Sequence, residues 1–149
     1  HFIDSVNCWN HIAISSECQS LSNNPSTVRM YINGDYKNQI QILNDINWNT
    51  NLISEKIGGE GSFNGYIDDF SVWNISLNEN NINSIINDGT SLQENGLIGF
   101  WNFDFSAEDL INNNDGQLIN GASFSINTTE NLTCGSCFND TSATNMSSL

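Results

Sequence analysis

"FNGYIDDFSVWNISLNENNI", residues Phe63–Ile82, sets two carboxylates, Asp68 and Asp69, side by side in a run rich in aromatic and β-branched residues. The part from Gly65 to Asn74 reads as a β-strand. Neighbouring strand residues point to opposite faces. A regular strand therefore keeps the two acids from facing each other across a substrate, as a glycosidase pair does at about 5 to 9.5 Å. One of them then points inward, where a carboxylate is costly unless it is hydrogen-bonded or bound to a cation. Structural hydrogen bonding and calcium both meet that requirement, and acid/base catalysis does not.

Working outward, a helix is expected over Leu77–Asn87. Ser76 and Glu79 have the spacing of a capping box, Ile82, Ile85 and Ile86 make one apolar face, and Gly89 is placed to end it. Upstream, "CWNHIAIS" (Cys8–Ser15) alternates as a strand, and "STVRMYINGDY" (Ser26–Tyr36) alternates until Asn33-Gly34, a pair that tolerates the positive φ of a tight turn. Downstream, "GLIGFWNFDF" (Gly96–Phe105) is apolar on both faces, as a central strand would be, and "QLINGASFS" (Gln117–Ser125) is a further strand bent at Asn120-Gly121. Beyond Ile126 the composition turns to Thr, Asn, Ser and Cys, which reads as a tail or linker over 127–149. Short strands, turn signals and one brief helix predict an all-β fold, an antiparallel β-sandwich or jelly roll.

With 149 residues, 38% hydrophobic and 10% aromatic, the chain can build one core. Its formal net charge is −14, with Arg29, Lys37 and Lys56 as the strong cations. Binding a phosphate backbone takes several Lys or Arg to release counterions, so nucleic acid is excluded as a partner. Anionic membrane surfaces are disfavoured for the same reason, and no stretch approaches the ~20 apolar residues of a membrane span. Surplus carboxylate suits an extracellular setting rich in calcium, and it also simply keeps a surface soluble. The chain opens at His1 with no methionine or apolar leader, as a processed chain or a piece of a longer one would.

Cys8, Cys18, Cys134 and Cys137 cluster near the two ends, and Asn-x-Ser/Thr acceptors stand at Asn74, Asn127, Asn131, Asn139 and Asn145. Together they point to a secreted, disulfide-bonded glycoprotein. If residues 9–16 are extended, Cys8 and Cys18 lie about 30 Å apart at ~3.3 Å per residue. A bridge needs Cα atoms within about 7 Å, so each is expected to pair elsewhere. "CGSC" (Cys134–Cys137) has the spacing of a redox or zinc pair but no second such pair and no helix start beside it, which favours a disulfide role. His11 sits inside a strand as a structural histidine would, and neither Gly-x-Ser-x-Gly nor His-Glu-x-x-His occurs. "NNNDGQL" is no EF-hand: Gly116 as its sixth position puts Ile111 and Ala122 where acids belong.

"WNHIA" (Trp9–Ala13), "VRMYING" (Val28–Gly34), "IGG" (Ile57–Gly59) and the opening stretch, in that order, resemble the laminin-G-like, concanavalin A-like jelly roll, a family that includes the pentraxins. The resemblance gives a laminin-G-like domain over 1–126 in which 8–89 is the closing part of a repeat. Residues 96–126, "GLIGFWNFD…LINNNDGQLINGASF", are similar to the segment with which such a domain opens. The sheet is then incomplete or permuted, and its unpaired edges invite self-assembly. The family implies non-catalytic recognition or adhesion, with glycans or neighbouring protein subunits as partners. It also implies a structural calcium ion, for which Asp68, Asp69 and Asp104 are the candidates. Its glucanase relatives carry Glu-x-Asp-x-x-Glu, and "YIDDFSVWN" lacks both glutamates. Two readings stand: a structural or adhesion glycoprotein module in a surface assembly, and a calcium-dependent lectin-like module that stacks sugars on Trp48 or Tyr36.

Overall fold

In the computed structural model, which describes residues 9–17, 26–42, 56–57, 63–125 and 145–148, the chain forms two compact units. The first carries β1 (Ile12–Glu17), β2 (Ser26–Ile32), β3 (Asp35–Ile42) and the helix α1 (Glu79–Asp88). The strands make an antiparallel sheet in the order β1-β2-β3. Its hairpin closes through Asn33 and Gly34 at φ 53° and 83°. Two residues with positive φ are what a turn matching the right-handed twist of its strands requires, and Asn-Gly supplies them at least strain.

Asn33 also ties that turn to the approach of β1. Its N–H donates to the His11 carbonyl at 2.8 Å, its Oδ1 accepts from the His11 N–H at 2.9 Å, and its Nδ2 donates to Asn10 Oδ1 at 3.2 Å. The helix packs on the same turn, since a Cβ on Gly34 would fall on Asn83 Oδ1 and lie 3.4 Å from Ile86 Cδ1. Ile82, on the apolar face of α1, is 1% exposed.

The helix starts two residues later than expected. Asn78 is its N-cap, accepting from the Asn81 N–H at 3.0 Å while Asn81 Oδ1 accepts from the Asn78 N–H at 3.2 Å. Ser76 cannot cap because its hydroxyl is used elsewhere. The buried Ser15 hydroxyl donates to the Leu77 carbonyl at 2.7 Å, so the Ser76 hydroxyl donates to Ser15 Oγ at 2.8 Å. Glu79 still serves the first turn, its charge opposing the helix dipole. Gly89 ends the helix as expected, at φ 78° with its N–H on the Ile85 carbonyl.

The second unit holds β4 (Gly65–Ile67), β5 (Phe70–Trp73), β6 (Leu97–Trp101), β7 (Ser123–Ser125) and β8 (Asn145–Ser148). β5 and β6 form an antiparallel ladder, and β8 lies between β4 and β7. The run read as one strand from Gly65 to Asn74 is thus two, broken at Asp68-Asp69. The late opening-like segment supplies β6, which completes a ladder with the closing strand of the same chain. Asn120 and Gly121, at φ 54° and 87°, make the bend ahead of β7. β8 falls within 127–149, the stretch read as a tail. Leu97, Phe100 and Phe103 are buried in this unit, and the Phe70 and Trp101 rings lie 5.6 Å apart. The expectation of antiparallel sheets with one short helix holds.

Gly34 and Gly89 both occupy positive φ, but a Cβ on Gly89 would meet nothing within 4 Å. Gly89, at φ 78° and ψ 174°, lies in a region essentially confined to glycine, so Gly89→Ala costs about 1–3 kcal/mol by backbone strain alone. Gly34→Ala adds a clash with Asn83 of α1 to a positive-φ strain of about 1–2 kcal/mol. Urea titration is expected to show that Asn83→Ala recovers part of the Gly34→Ala loss and none of the Gly89→Ala loss. No recovery in the Gly34→Ala background would mean that the helix does not pack on the turn.

Candidate functional site

The three acids proposed for a metal are brought to one end of the β5–β6 ladder. Its last pair is Phe70↔Trp101, so Asp69 and Asp68 on one strand, and Asn102 to Asp104 on the other, are the next residues out. Both strands break there with a left-handed residue, Asp69 at φ 49° and Phe103 at φ 51°. Aspartate tolerates this conformation, but a buried phenylalanine does not take it without strain. Asp104 Oδ2 accepts a 2.6 Å hydrogen bond from Asn102 Nδ2, and solvent does not reach Asp68 Oδ1. Asp68, Asp69 and Asp104 all take part in polar interactions. Because the strand breaks, simple alternation does not set the directions of Asp68 and Asp69. Among the described residues no three Asp, Glu, His or Cys side chains come together around a point. A calcium ion at this end would therefore draw most of its ligands from backbone carbonyls and amide oxygens.

The best-organised carboxylate is one that sequence reasoning missed. Asp109 is 6% exposed. Its Oδ1 accepts from the backbone N–H of Phe100 at 3.1 Å and of Ile111 at 3.0 Å, and its Oδ2 accepts from Asn114 Nδ2 at 3.1 Å. Its own N–H donates to Asp115 Oδ1 at 3.0 Å. Burial alone would raise the Asp109 carboxyl, but the N–H groups of Ile111, Phe100 and Asn112 and the Asn114 amide outweigh it and hold the pKa below the ordinary 3.8. A carboxylate surrounded by donors repels a cation's place rather than offering one. The sequence signal was available in hindsight: an acid in an Asn-rich loop directly after an apolar strand, where unpaired strand N–H groups need an acceptor.

Asp109 anchors the 104–116 loop along the free edge of β6. The Leu110 N–H donates to the Phe100 carbonyl at 2.8 Å, and Asn112 Nδ2 donates to the Ile98 carbonyl at 2.7 Å. Trp101 Nε1 donates to the Asn114 carbonyl at 3.2 Å. The outward carbonyls of Ile98 and Phe100 and the Phe100 N–H are thus filled by the chain itself, which opposes pairing of this edge with another strand.

A different surface is open. In the first unit, register places Ile12, Ile14, Val28, Met30, Ile32, Ile40 and Ile42 on one face of the sheet, with Ile32 buried. Ile14 is 71% exposed, Ile40 60% and Ile12 53%. On the opposite face the Tyr31 and Tyr36 rings meet edge to face at 5.9 Å, and Tyr36 remains exposed. His11 is half-buried, its Nδ1 lacks a hydrogen-bond partner among the described residues, and burial holds its pKa below the ordinary 6.5. His11 lies just ahead of β1 rather than inside a strand.

Of the acceptor asparagines, Asn74 is exposed at the end of β5 and Asn145 opens β8, while Asn127, Asn131 and Asn139 lie outside the described residues. Cys8, Cys18, Cys134, Cys137 and Trp48 also lie outside them.

Asp109→Asn keeps the volume but removes the charge and one acceptor. Unfolding is expected to become easier by about 1.5–3 kcal/mol, the range for hydrogen bonds to a charged group. A carboxyl with a depressed folded pKa stabilises fully above its unfolded value and loses that contribution as pH falls through the folded one. The original protein should therefore lose stability below about pH 3.8 more steeply than Asp109→Asn, as read by thermal melts at stepped pH. Parallel curves would remove the carboxylate from the loop's support.

Residues 3–83 match a laminin-G model described as the concanavalin A-like lectin/glucanases superfamily. No curated protein and no solved structure matches the chain. The matched region takes in β1 to β5 and the first turn of α1, more than half of the sequence. Together with antiparallel sheets and a single helix among the described residues, it makes this chain a member of the concanavalin A-like lectin/glucanase superfamily.

Proposed function

We propose that this chain is a non-catalytic extracellular module with a structural or adhesive role, one subunit or repeat of a surface assembly. The superfamily supplies carbohydrate-binding and adhesion-type modules, and this fold is generally non-catalytic although the superfamily includes glucanases. The observation that carries the structural reading is the aliphatic face of the β1-β2-β3 sheet, with Ile12, Ile14 and Ile40 each more than half exposed. A contiguous apolar face of this kind marks a surface that contacts other protein. No helix among the described residues is long and apolar enough to cross a membrane.

Tyr36 supports a second reading, calcium-dependent carbohydrate binding. Its exposed ring is steadied edge-on by Tyr31 and offers an apolar face to a sugar ring. The calcium for such a module would belong at the Asp68, Asp69 and Asp104 end of the β5–β6 ladder.

One experiment separates the two. The purified, folded chain is offered to a broad glycan panel with calcium and again with a chelator, and its assembly state is followed by sedimentation. The structural reading expects no glycan binding in either condition, and concentration-dependent assembly that Ile14→Ser weakens. Calcium-dependent binding to one sugar class, lost in Tyr36→Ala and reduced by Asp68→Asn or Asp69→Asn, would overturn it in favour of the lectin.

A further inference from the structure

Asn74, Ile75 and Ser76 are a glycan acceptor whose three residues the fold fixes while leaving the acceptor side chain in solvent. Asn74 is exposed, and so are Ile75 and Ser76. The Asn74 N–H donates to the Gly96 carbonyl at 2.8 Å. Ile75 lies over Gly96, where a Cβ would come within 2.6 Å of Ile75 Cγ1. The Ser76 hydroxyl is bonded to Ser15 Oγ at 2.8 Å. The backbone and the +2 hydroxyl are therefore engaged, while the side chain at the first position stands clear.

We propose that Asn74 carries an N-linked glycan, added before the segment folds. The proposal rests on the extracellular reading, because the donor is a lipid-linked oligosaccharide diphosphate of the secretory route. In the transfer, Asn74 Nδ2 forms a bond to the anomeric carbon of the donor sugar. The bond from that carbon to the diphosphate oxygen breaks, the lipid diphosphate leaves with the electron pair, and Nδ2 gives up one proton. The acceptor pattern needs a Ser or Thr hydroxyl two residues on, and in the folded chain Ser15 holds that hydroxyl. Transfer therefore precedes the docking of Ser76. Afterwards the glycan stands on a surface position and displaces no buried contact.

The full chain, expressed in a eukaryotic host behind a secretory signal and with a control acceptor sequence appended, provides the test. Enzymatic deglycosylation in heavy-oxygen water is expected to convert Asn74 to labelled aspartate in peptide maps. Asn74→Gln and Ser76→Ala should each remove one glycan's mass, and Ser76→Thr should keep it. Unlabelled Asn74 beside labelled tail asparagines would overturn the proposal and leave the extracellular reading standing. If only the control sequence is labelled, both fall. The order of events is read separately with purified oligosaccharyltransferase. Unfolded chain should be modified at Asn74 and native chain should not, whereas equal modification of both would overturn the order.

Discussion

A strand paired on one side only has backbone donors and acceptors left over on the other, and burying them unmet costs more than most side-chain contacts return. In this chain the requirement falls on β6, whose side chains Leu97 and Phe100 belong to the core. Asp109 meets it by placing one carboxylate oxygen between the N–H groups of Phe100 and Ile111. From that anchor the 104–116 loop lies along the strand, fills the carbonyls of Ile98 and Phe100, and receives the Trp101 indole. The acid thus determines how an Asn-rich loop is laid down and where the sheet stops.

The first unit solves a comparable problem with neutral groups. Asn33 holds the hairpin turn to the approach of β1 by both its backbone and its side chain. Ser15, buried in β1, receives the lead-in to the helix through Ser76 and Leu77. Each device uses a short side chain that reaches backbone without filling the core. These polar ties fix the turn and the helix start against the sheet, while the opposite face leaves Ile12, Ile14 and Ile40 exposed. That contrast is what inclines the functional reading toward contact with other protein.

The same economy shapes the candidate site. Two strands end together where Asp69 and Phe103 take the left-handed conformation, and this level brings Asp68, Asp69 and Asp104 to one end of a ladder. The chain therefore sets acidic residues at that end without forming a three-carboxylate cluster among the described residues. The acid with the strongest electrostatic environment, Asp109, is committed to backbone N–H groups. Charge in this part of the fold supports backbone geometry.

The sequence by itself determined what depends on neighbours along the chain. The Asn33-Gly34 and Asn120-Gly121 turns, the helix bearing Ile82 and stopped by Gly89, the strands β1, β2 and β6 and the superfamily were legible, because positive φ, helical period and strand alternation are local. Only the tertiary structure decided the rest. It gave Ser76 to Ser15 and so moved the cap to Asn78, it broke the Gly65–Asn74 run at Asp69, and it gave Asp109 its partners. The physical reason is the same in each case. A hydroxyl or a carboxylate goes to whichever unmet backbone or side-chain partner the fold brings closest, and the spacing of residues does not record which partner that will be.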